Sequence, residues 1–327
     1  MEYKVFIFSS GIFDGRKSFD FNSFNQLCGK YLVNISQIII AKYKSCSLSL
    51  EKDNLIIFCE NKNIDELIFS NIDCIGKQKK IIDDKIAVFG DNDRDIIFVP
   101  IECDLNKLEK VFANNNKNFS QFHLFGLKEN EVVEKLEIIK QEIDTLEYSI
   151  IYENLITHLY LSYIGDKDVT HEIENKIATY FKQNIYSEND LTLAAIVYRL
   201  LKLKDFKIAI WEISTKGVIT NQLFTENNDF DSVLQKSRFD YTQCKDVDML
   251  YEKALNFKKE ASCEIALLVH RQESEIEDCY QFAICYGDEI FLYKNIFKGD
   301  HNISLQMAKN AVLFNLAKKL RQNDITI

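Results

Sequence analysis

Short apolar runs alternate with stretches of helical periodicity along the whole sequence, and this alternation commits the chain to an α/β architecture. The first third predicts strands over 5–8, 35–41, 55–59, 86–89 and 96–99. It also predicts a helix over 22–32 with Phe24, Leu27 and Tyr31 on one face. The middle predicts a strand over 122–127 and a helix over 129–143 with Val132, Leu136, Ile139 and Ile143 inward. Strands follow over 148–153 and 157–164, then a helix over 169–181 with Ile173 and Ile177 inward and Asp168 as its N-cap. The last part predicts helices over 191–204, 247–259 and 304–320, and strands over 206–211, 264–269, 280–286 and 290–297. A turn at Ser214-Thr215-Lys216-Gly217 leads from strand 206–211 into one further helix. Two polar junctions, Asn-rich over 112–120 and Ser-Glu-Asn-Asp over 187–190, divide this pattern into three consecutive α/β units, 1–118, 119–188 and 189–327.

Charge and composition exclude several function classes. Forty basic against fifty acidic residues give a net charge of −10, which opposes a nucleic-acid partner held by phosphate neutralisation. The chain has ten glycines, no Gly-Gly pair, and a single proline, Pro100, so loops that cradle phosphate with bare backbone are scarce. Nine cysteines, none spaced C-x-x-C, and five mutually isolated histidines predict buried reduced thiols and no zinc site. No apolar run approaches membrane length, and the first eight residues read as a strand and not as a leader, so the expected setting is cytoplasmic, away from any membrane.

Three segments suggest sites. Asp91-Asn92-Asp93-Arg94-Asp95 with Glu102 copies four acidic positions of a calcium loop, but Ile96 stands where the turn requires glycine, so a polar hairpin is expected. Ser214-Thr215-Lys216-Gly217 sits at a strand-to-helix junction. It reads either as a helix-start anion site or as a Ser/Thr N-cap; the Walker order is absent because Lys216 precedes Gly217. His270-Arg271 reads either as part of a catalytic group or, by preference, as a polar turn ending strand 264–269 before the acidic stretch 273–278. Lys128, Lys236 and Lys309 read as surface lysines.

Within the final unit, Trp211-Glu212-Ile213-Ser214-Thr215-Lys216-Gly217 resembles the A-E-S-C-T-G-G motif of the CinA family, the competence/damage-inducible proteins. Glu212, Thr215 and Gly217 match that motif. The strand pair 280–286 and 290–297, the Lys298-Gly299-Asp300 turn and the closing helix are similar to the family's last elements. Upstream, His123–Glu131 resembles its F-x-G-x-x-E-S stretch, Ile185–Asp190 its V-Y-G-E-D-D, and Ile96–Pro100 its V-F-L-L-P-G. Residues 8–25 keep only Gly15 of the opening motif. The resemblance implies a molybdopterin-binding-like first domain, shortened between Asn71 and Lys85, and a nicotinamide-nucleotide amidohydrolase-like last domain. It also implies a homodimer or larger assembly, no cofactor, and a pyridine nucleotide as ligand.

The departures bear on activity. The position of the family's nucleophilic serine holds Ile213, and that of its assisting lysine holds Tyr241. Its T-G-G-L-G-P-T loop is replaced by Glu60-Asn61-Lys62-Asn63, and its G-I-A-G-P loop by His270-Arg271-Gln272-Glu273. The expected function is therefore a catalytically degenerate CinA-like protein, a nucleotide-binding or assembly module. In it Glu212, Ser214, Thr215, Lys236 and Tyr241 mark a vestigial pocket, and Thr215 and Gly217 are candidate ligand contacts. The alternative is an active amidohydrolase with Ser214 as a relocated nucleophile, helped by Lys216 or Lys236.

Overall fold

The computed structural model describes residues 2–8, 19–41, 53–70, 75, 77–82, 86–90, 94–113, 117–241, 247–272 and 277–322. The readings that fall on 9–11, on Gly15, on the 71–85 contraction at 71–74 and 83–85, and on Asp91–Asp93 lie outside them. So do those on Asn114–Asn116, on 273–276 and on Cys46, Cys74 and Cys244.

The described residues form an α/β fold with three sheets. The first is built from β1 (Glu2–Phe8), α1 (Phe21–Lys30), β2 (Asn34–Ala41), β3 (Asn54–Cys59), α2 (Asn61–Ser70), β4 (Lys77–Ile82), β5 (Ile86–Gly90) and β6 (Asp95–Pro100). Its six strands run in the order β2-β1-β3-β6-β5-β4. The first four are parallel; β5 and β4 return antiparallel. Strands β3 and β6 are continuous apolar runs because both of their faces are covered. On one face Val5, Ile7, Ile56 and Phe58 pack with Phe24 and Leu27 of α1; on the other Phe6, Phe8, Ile57 and Phe98 pack with Ile64 and Leu67 of α2. The sequence pattern reads Glu60–Asn63 as a loop and does not predict α2; the helix begins at Asn61. A 3-10 turn, Leu105–Leu108, and α3 (Glu109–Phe112) follow.

The second sheet comprises β7 (Asn118–Phe125), β8 (Glu147–Glu153), β9 (Ile156–Tyr163) and β10 (Ile185–Ser187), with α4 (Glu129–Glu142) and α5 (Lys167–Phe181) between them. Its order is β10-β7-β9-β8. The inward residues expected on α4 and α5 are buried: Val132, Leu136, Ile139, Ile143, Ile173 and Ile177. The expected N-cap is corrected. Asp166, not Asp168, accepts from the N–H groups of Asp168 and Val169, because the helix starts at Lys167 and leaves Asp168 inside its first turn.

The third sheet follows α6 (Leu193–Leu203). It contains β11 (Ile208–Ile213), β12 (Leu234–Asp240), β13 (Ile265–Gln272), β14 (Glu277–Tyr286) and β15 (Glu289–Lys298). Helices α7 (Val218–Glu226), α8 (Val247–Ala261) and α9 (His301–Gln322) pack on it. Strands β12, β11 and β13 are parallel, and β14 and β15 continue antiparallel in the order β12-β11-β13-β14-β15. The core is split by this sheet. Ile208, Ile210, Ile265, Leu267, Phe282 and Ile284 face α6, α7 and α9. Ala209, Trp211, Ile213, Ala266 and Leu268 face Leu250, Ala254 and Phe257 of α8.

Two compact units divide the chain: Met1–Gln121 with Leu136–Ile151 and Leu159–Lys176, and Phe122–Lys135 with Tyr152–His158 and Ile177–Ile327. No helix among the described residues is long and apolar enough to cross a membrane.

Candidate functional site

Strand β11, Ile-Ala-Ile-Trp-Glu-Ile, is buried at every position, so its single carboxylate had to find partners inside the protein. Side chains alternate across a strand. Glu212 therefore shares its face with Ile208 and Ile210 and looks toward α7, while Ile213 looks toward α8. Glu212 is 1% exposed. Its Oε2 accepts from Thr215 Oγ1 at 2.6 Å and Ile219 N at 3.2 Å. Its Oε1 accepts from Thr220 N at 2.9 Å and Thr220 Oγ1 at 2.7 Å.

The four residues between β11 and α7 turn sharply. Ser214, Lys216 and Gly217 all have left-handed backbone, with φ of 58°, 57° and 71°. At Gly217 a side chain would be strained on two counts: the backbone conformation, and a Cβ position 3.1 Å from Phe239 Cε1. Gly217 is the N-cap of α7 and carries no capping side chain. The expected Ser/Thr cap is thus corrected: the Thr215 hydroxyl donates to Glu212, and the strand carboxylate reaches up to cap the helix instead. Three N–H groups that the helix start leaves open are engaged: Val218 N donates to Thr215 O at 3.3 Å, and Ile219 N and Thr220 N donate to Glu212, while Asn221 N makes the first bond of the helix itself, to Gly217 O at 2.9 Å.

A cavity of about 610 Å³ opens at the carboxyl ends of β11 and β12. Glu212, Ser214, Lys216, Gly217, Thr220 and Asn221 line one side, with Phe224, Phe239, Asp240 and Tyr241 completing it. Its volume lies in the range of small-molecule sites, and it stands where ligands bind in parallel sheets, at the carboxyl ends of the strands. Phe224, Phe239 and Tyr241 are 40%, 54% and 79% exposed, so three aromatic rings are offered to whatever enters. Asp240 is tied down from behind: Trp211 Nε1 donates to its Oδ2 at 3.0 Å, Arg238 lies 3.5 Å from the same oxygen, and its carbonyl accepts from Ser214 N at 3.0 Å. The Arg238 guanidinium also stacks 4.1 Å above the Trp211 ring.

The structure thus gathers Glu212, Ser214, Gly217 and Tyr241 around one cavity, with Thr215 buried beneath it against Glu212. Lys236 stands apart. It pairs with Glu260 of α8 at 2.5 Å, and its register opposite Ala209 puts it on the sheet face away from Glu212. The lining residues Thr220, Asn221, Phe224 and Phe239 escaped the sequence reading. Strand β12 carries alternating burial and a polar sequence, Leu-Gln-Lys-Ser-Arg-Phe-Asp, and gave no apolar run to find.

Two further expectations are corrected. His270 and Arg271 do not form a turn: β13 continues to Gln272, and they are 0% and 2% exposed. Strand β14 pairs alongside and supplies Asp278, whose Oδ1 accepts from Arg271 Nε at 3.3 Å and Nη2 at 3.2 Å; the opposite Oδ2 lies 2.8 Å from His301 Nδ1. Burial, reinforced by nearby Lys253, pushes the His270 imidazole below its ordinary range. Lys309 is no surface lysine. It is half-buried on α9, donates to Gln222 Oε1 of α7 at 3.1 Å, and burial lowers its pKa.

Away from the cavity, His123 and His158 meet Nδ1 to Nδ1 at 2.8 Å, with Tyr186 stacked on His123. Burial, then the neighbouring His158, pushes His123 down to about 4. No group of three or more His, Cys, Asp or Glu side chains that could hold a metal ion occurs among the described residues.

No family model matches this sequence, and no curated protein matches it. Solved structures do. A CinA superfamily protein from Enterobacter cloacae is 15% identical, with 42% of this chain and 97% of that chain covered and a TM-score of 0.36. The competence damage-inducible protein A from Klebsiella pneumoniae is 15% identical, covering 40% of this chain and 96% of that one at a TM-score of 0.35. A competence/damage inducible protein from Agrobacterium tumefaciens is 12% identical, with 40% and 96% covered and a TM-score of 0.33. Each of these likenesses spans about two fifths of this chain.

Proposed function

We propose that this CinA-like protein uses the cavity at the end of β11 to bind the ring of a pyridine nucleotide, or a closely related heterocycle, without hydrolysing it. The observation that carries this reading is the split between position and pocket. Ile213, aligned with the family's nucleophile, is fully buried and faces α8, while the cavity remains open on the other side of the strand. Amide hydrolysis by a serine needs an oxygen poised about 3–3.5 Å from the carbonyl carbon and a base to take its proton. Isoleucine offers no lone pair. Tyr241, aligned with the assisting lysine, is a mostly exposed phenol at the rim. What survives is a binding shape: three accessible aromatic faces around a concave site, suited to stacking a flat ring. The buried thiols of Cys28, Cys59, Cys263 and Cys285, none in a disulfide, fit a cytoplasmic, reducing setting for such a binder.

One observation favours the alternative: Ser214 and Lys216 line the same cavity, a placement Lys236 does not share. Ammonia release from nicotinamide mononucleotide separates the two. The expected result is saturable binding of pyridine ribosides or ribotides, read by Trp211 fluorescence or calorimetry, with no ammonia above the Ser214→Ala control. Turnover that disappears in Ser214→Ala establishes the alternative.

A further inference from the structure

The two edges of the third sheet are built differently. At one edge β12 is seven residues long, its pairing with β11 slips by one residue after Leu234, and it carries Lys236, Arg238 and Asp240 at alternate positions. A bulge and close-set charges keep a sheet edge from pairing with another chain. At the other edge β15 is ten residues long, pairs with β14 in unbroken register and contains no proline. Among the described residues no strand lies on its outer side. The hairpin closes through Gly287 and Asp288, so Tyr286 and Glu289 exchange the first ladder bonds. The even-numbered residues from Ile290 to Lys298 therefore turn their N–H and C=O groups outward. Leu292, Lys294, Ile296 and Lys298 among them also expose their side chains, and Leu292 and Ile296 are 39% and 49% exposed. Open backbone groups beside bare aliphatic side chains make a template for another strand.

Charge says which strand. The segment starts acidic, at Asp288 and Glu289, and ends basic, at Lys294 and Lys298. Laid antiparallel on a copy of itself, each acidic start meets a basic end; laid parallel, like charges meet. Self-complementarity of this kind is what a two-fold interface requires. Register follows from the same residues. Side chains opposite each other across an antiparallel pair share a face, so the two-fold axis passes beside one residue and its own copy. Near-complete overlap of the ten residues leaves Tyr293 or Lys294 at the axis. Lys294 there would set two ammonium groups against each other, which is destabilising. Tyr293 there sets Ile290 opposite Ile296 of the second copy, Leu292 opposite its Lys294, and Asp288 opposite its Lys298.

We infer that β15 is a homodimerisation edge: two copies of this chain pair antiparallel through it, centred on Tyr293, and join their third sheets into one.

Sedimentation of the whole chain at micromolar concentration tests this, and the expected species has twice the 38.2 kDa chain mass. Lys294→Pro removes one outward N–H while leaving the ladder to β14 in place, and should weaken the dimer by about tenfold or more. Charge reversal gives a second reading that does not touch the backbone. Asp288→Lys and Lys298→Glu, both at exposed positions, should each weaken the dimer, and the double variant should recover it. Leu292→Cys mixed with Lys294→Cys should yield a disulfide-linked dimer under oxidation, and Lys294→Cys alone should not. A monomer at this concentration overturns the inference. So does a dimer whose affinity is unchanged in Lys294→Pro and in both charge reversals, and self-crosslinking of Lys294→Cys overturns the register.

Discussion

Two central parallel strands of this protein end in a helix, and they end differently. In the first sheet β3 passes to α2 through Glu60 alone, and the helix begins at Asn61. In the third sheet β11 passes to α7 through four residues, three of them left-handed. The first junction is held by a surface pair, Glu60 with Lys62 at 2.8 Å, and by Asn63 N on the Glu60 carbonyl. The second is held by a buried carboxylate with four donors. Strand position therefore does not make a site. The second connection is longer and turns through backbone that costs about 1 kcal/mol or more per non-glycine residue. That detour separates helix from strand and opens the cavity; Glu212 holds the arrangement in place.

The largest test of this contrast is Glu212→Ala. It leaves two N–H groups and two hydroxyls without their acceptor in a dry place, and the expected loss of stability is about 3 kcal/mol or more. Urea unfolding followed by Trp211 fluorescence measures it. If the variant unfolds like the parent, the two junctions are held alike and the contrast fails.

Acid sharpens the contrast in a second way, since the five histidines all lie at position 123 or later and the first sheet carries none. The unfolded chain binds a proton at His123 near pH 6.5, whereas the folded protein resists it down to about 4. The depressed folded value means that this stability is complete above pH 6.5 and is lost as pH falls toward 4. His158, also depressed by burial, adds in the same direction. Urea midpoints at pH 7 and pH 5 should differ by about 2 kcal/mol in stability, and His123→Phe should shrink that difference. An unchanged midpoint between the two pH values removes the buried pair as its source.

The smallest effect belongs to the first junction. Glu60→Ala breaks the bond to exposed Lys62, a solvated pair, and its unfolding midpoint should match the parent within error. A clear shift would show that the short junction depends on its carboxylate as the long one does.

Much of the fold was legible because periodicity is local. The runs at β3, β6, β11 and β13, and the i, i+4, i+7 faces of α4 and α5, fall where burial later puts them. Helix α2 and strand β12 were not legible. Asn61-Lys62-Asn63 reads as loop until Ile64 and Leu67 find the sheet, and β12 is a polar edge strand whose pairing with β11 supplies what its composition lacks. At the site, Glu212 was singled out by its motif, and a lone charge in an apolar strand is a signal in itself.

By itself the sequence determined an α/β fold, the absence of a hydroxyl at position 213, and the turn at 214–217. Only the tertiary structure decided what the charged residues do. Arg271 could be buried in β13 because Asp278 and His301 arrive from β14 and α9, seven and thirty residues away. Lys236 was sent to the far face of the sheet by its register, and Glu212 met the start of α7 seven and eight residues on. A buried charge is tolerated only where partners converge on it, and those partners are brought by topology, which local periodicity does not encode.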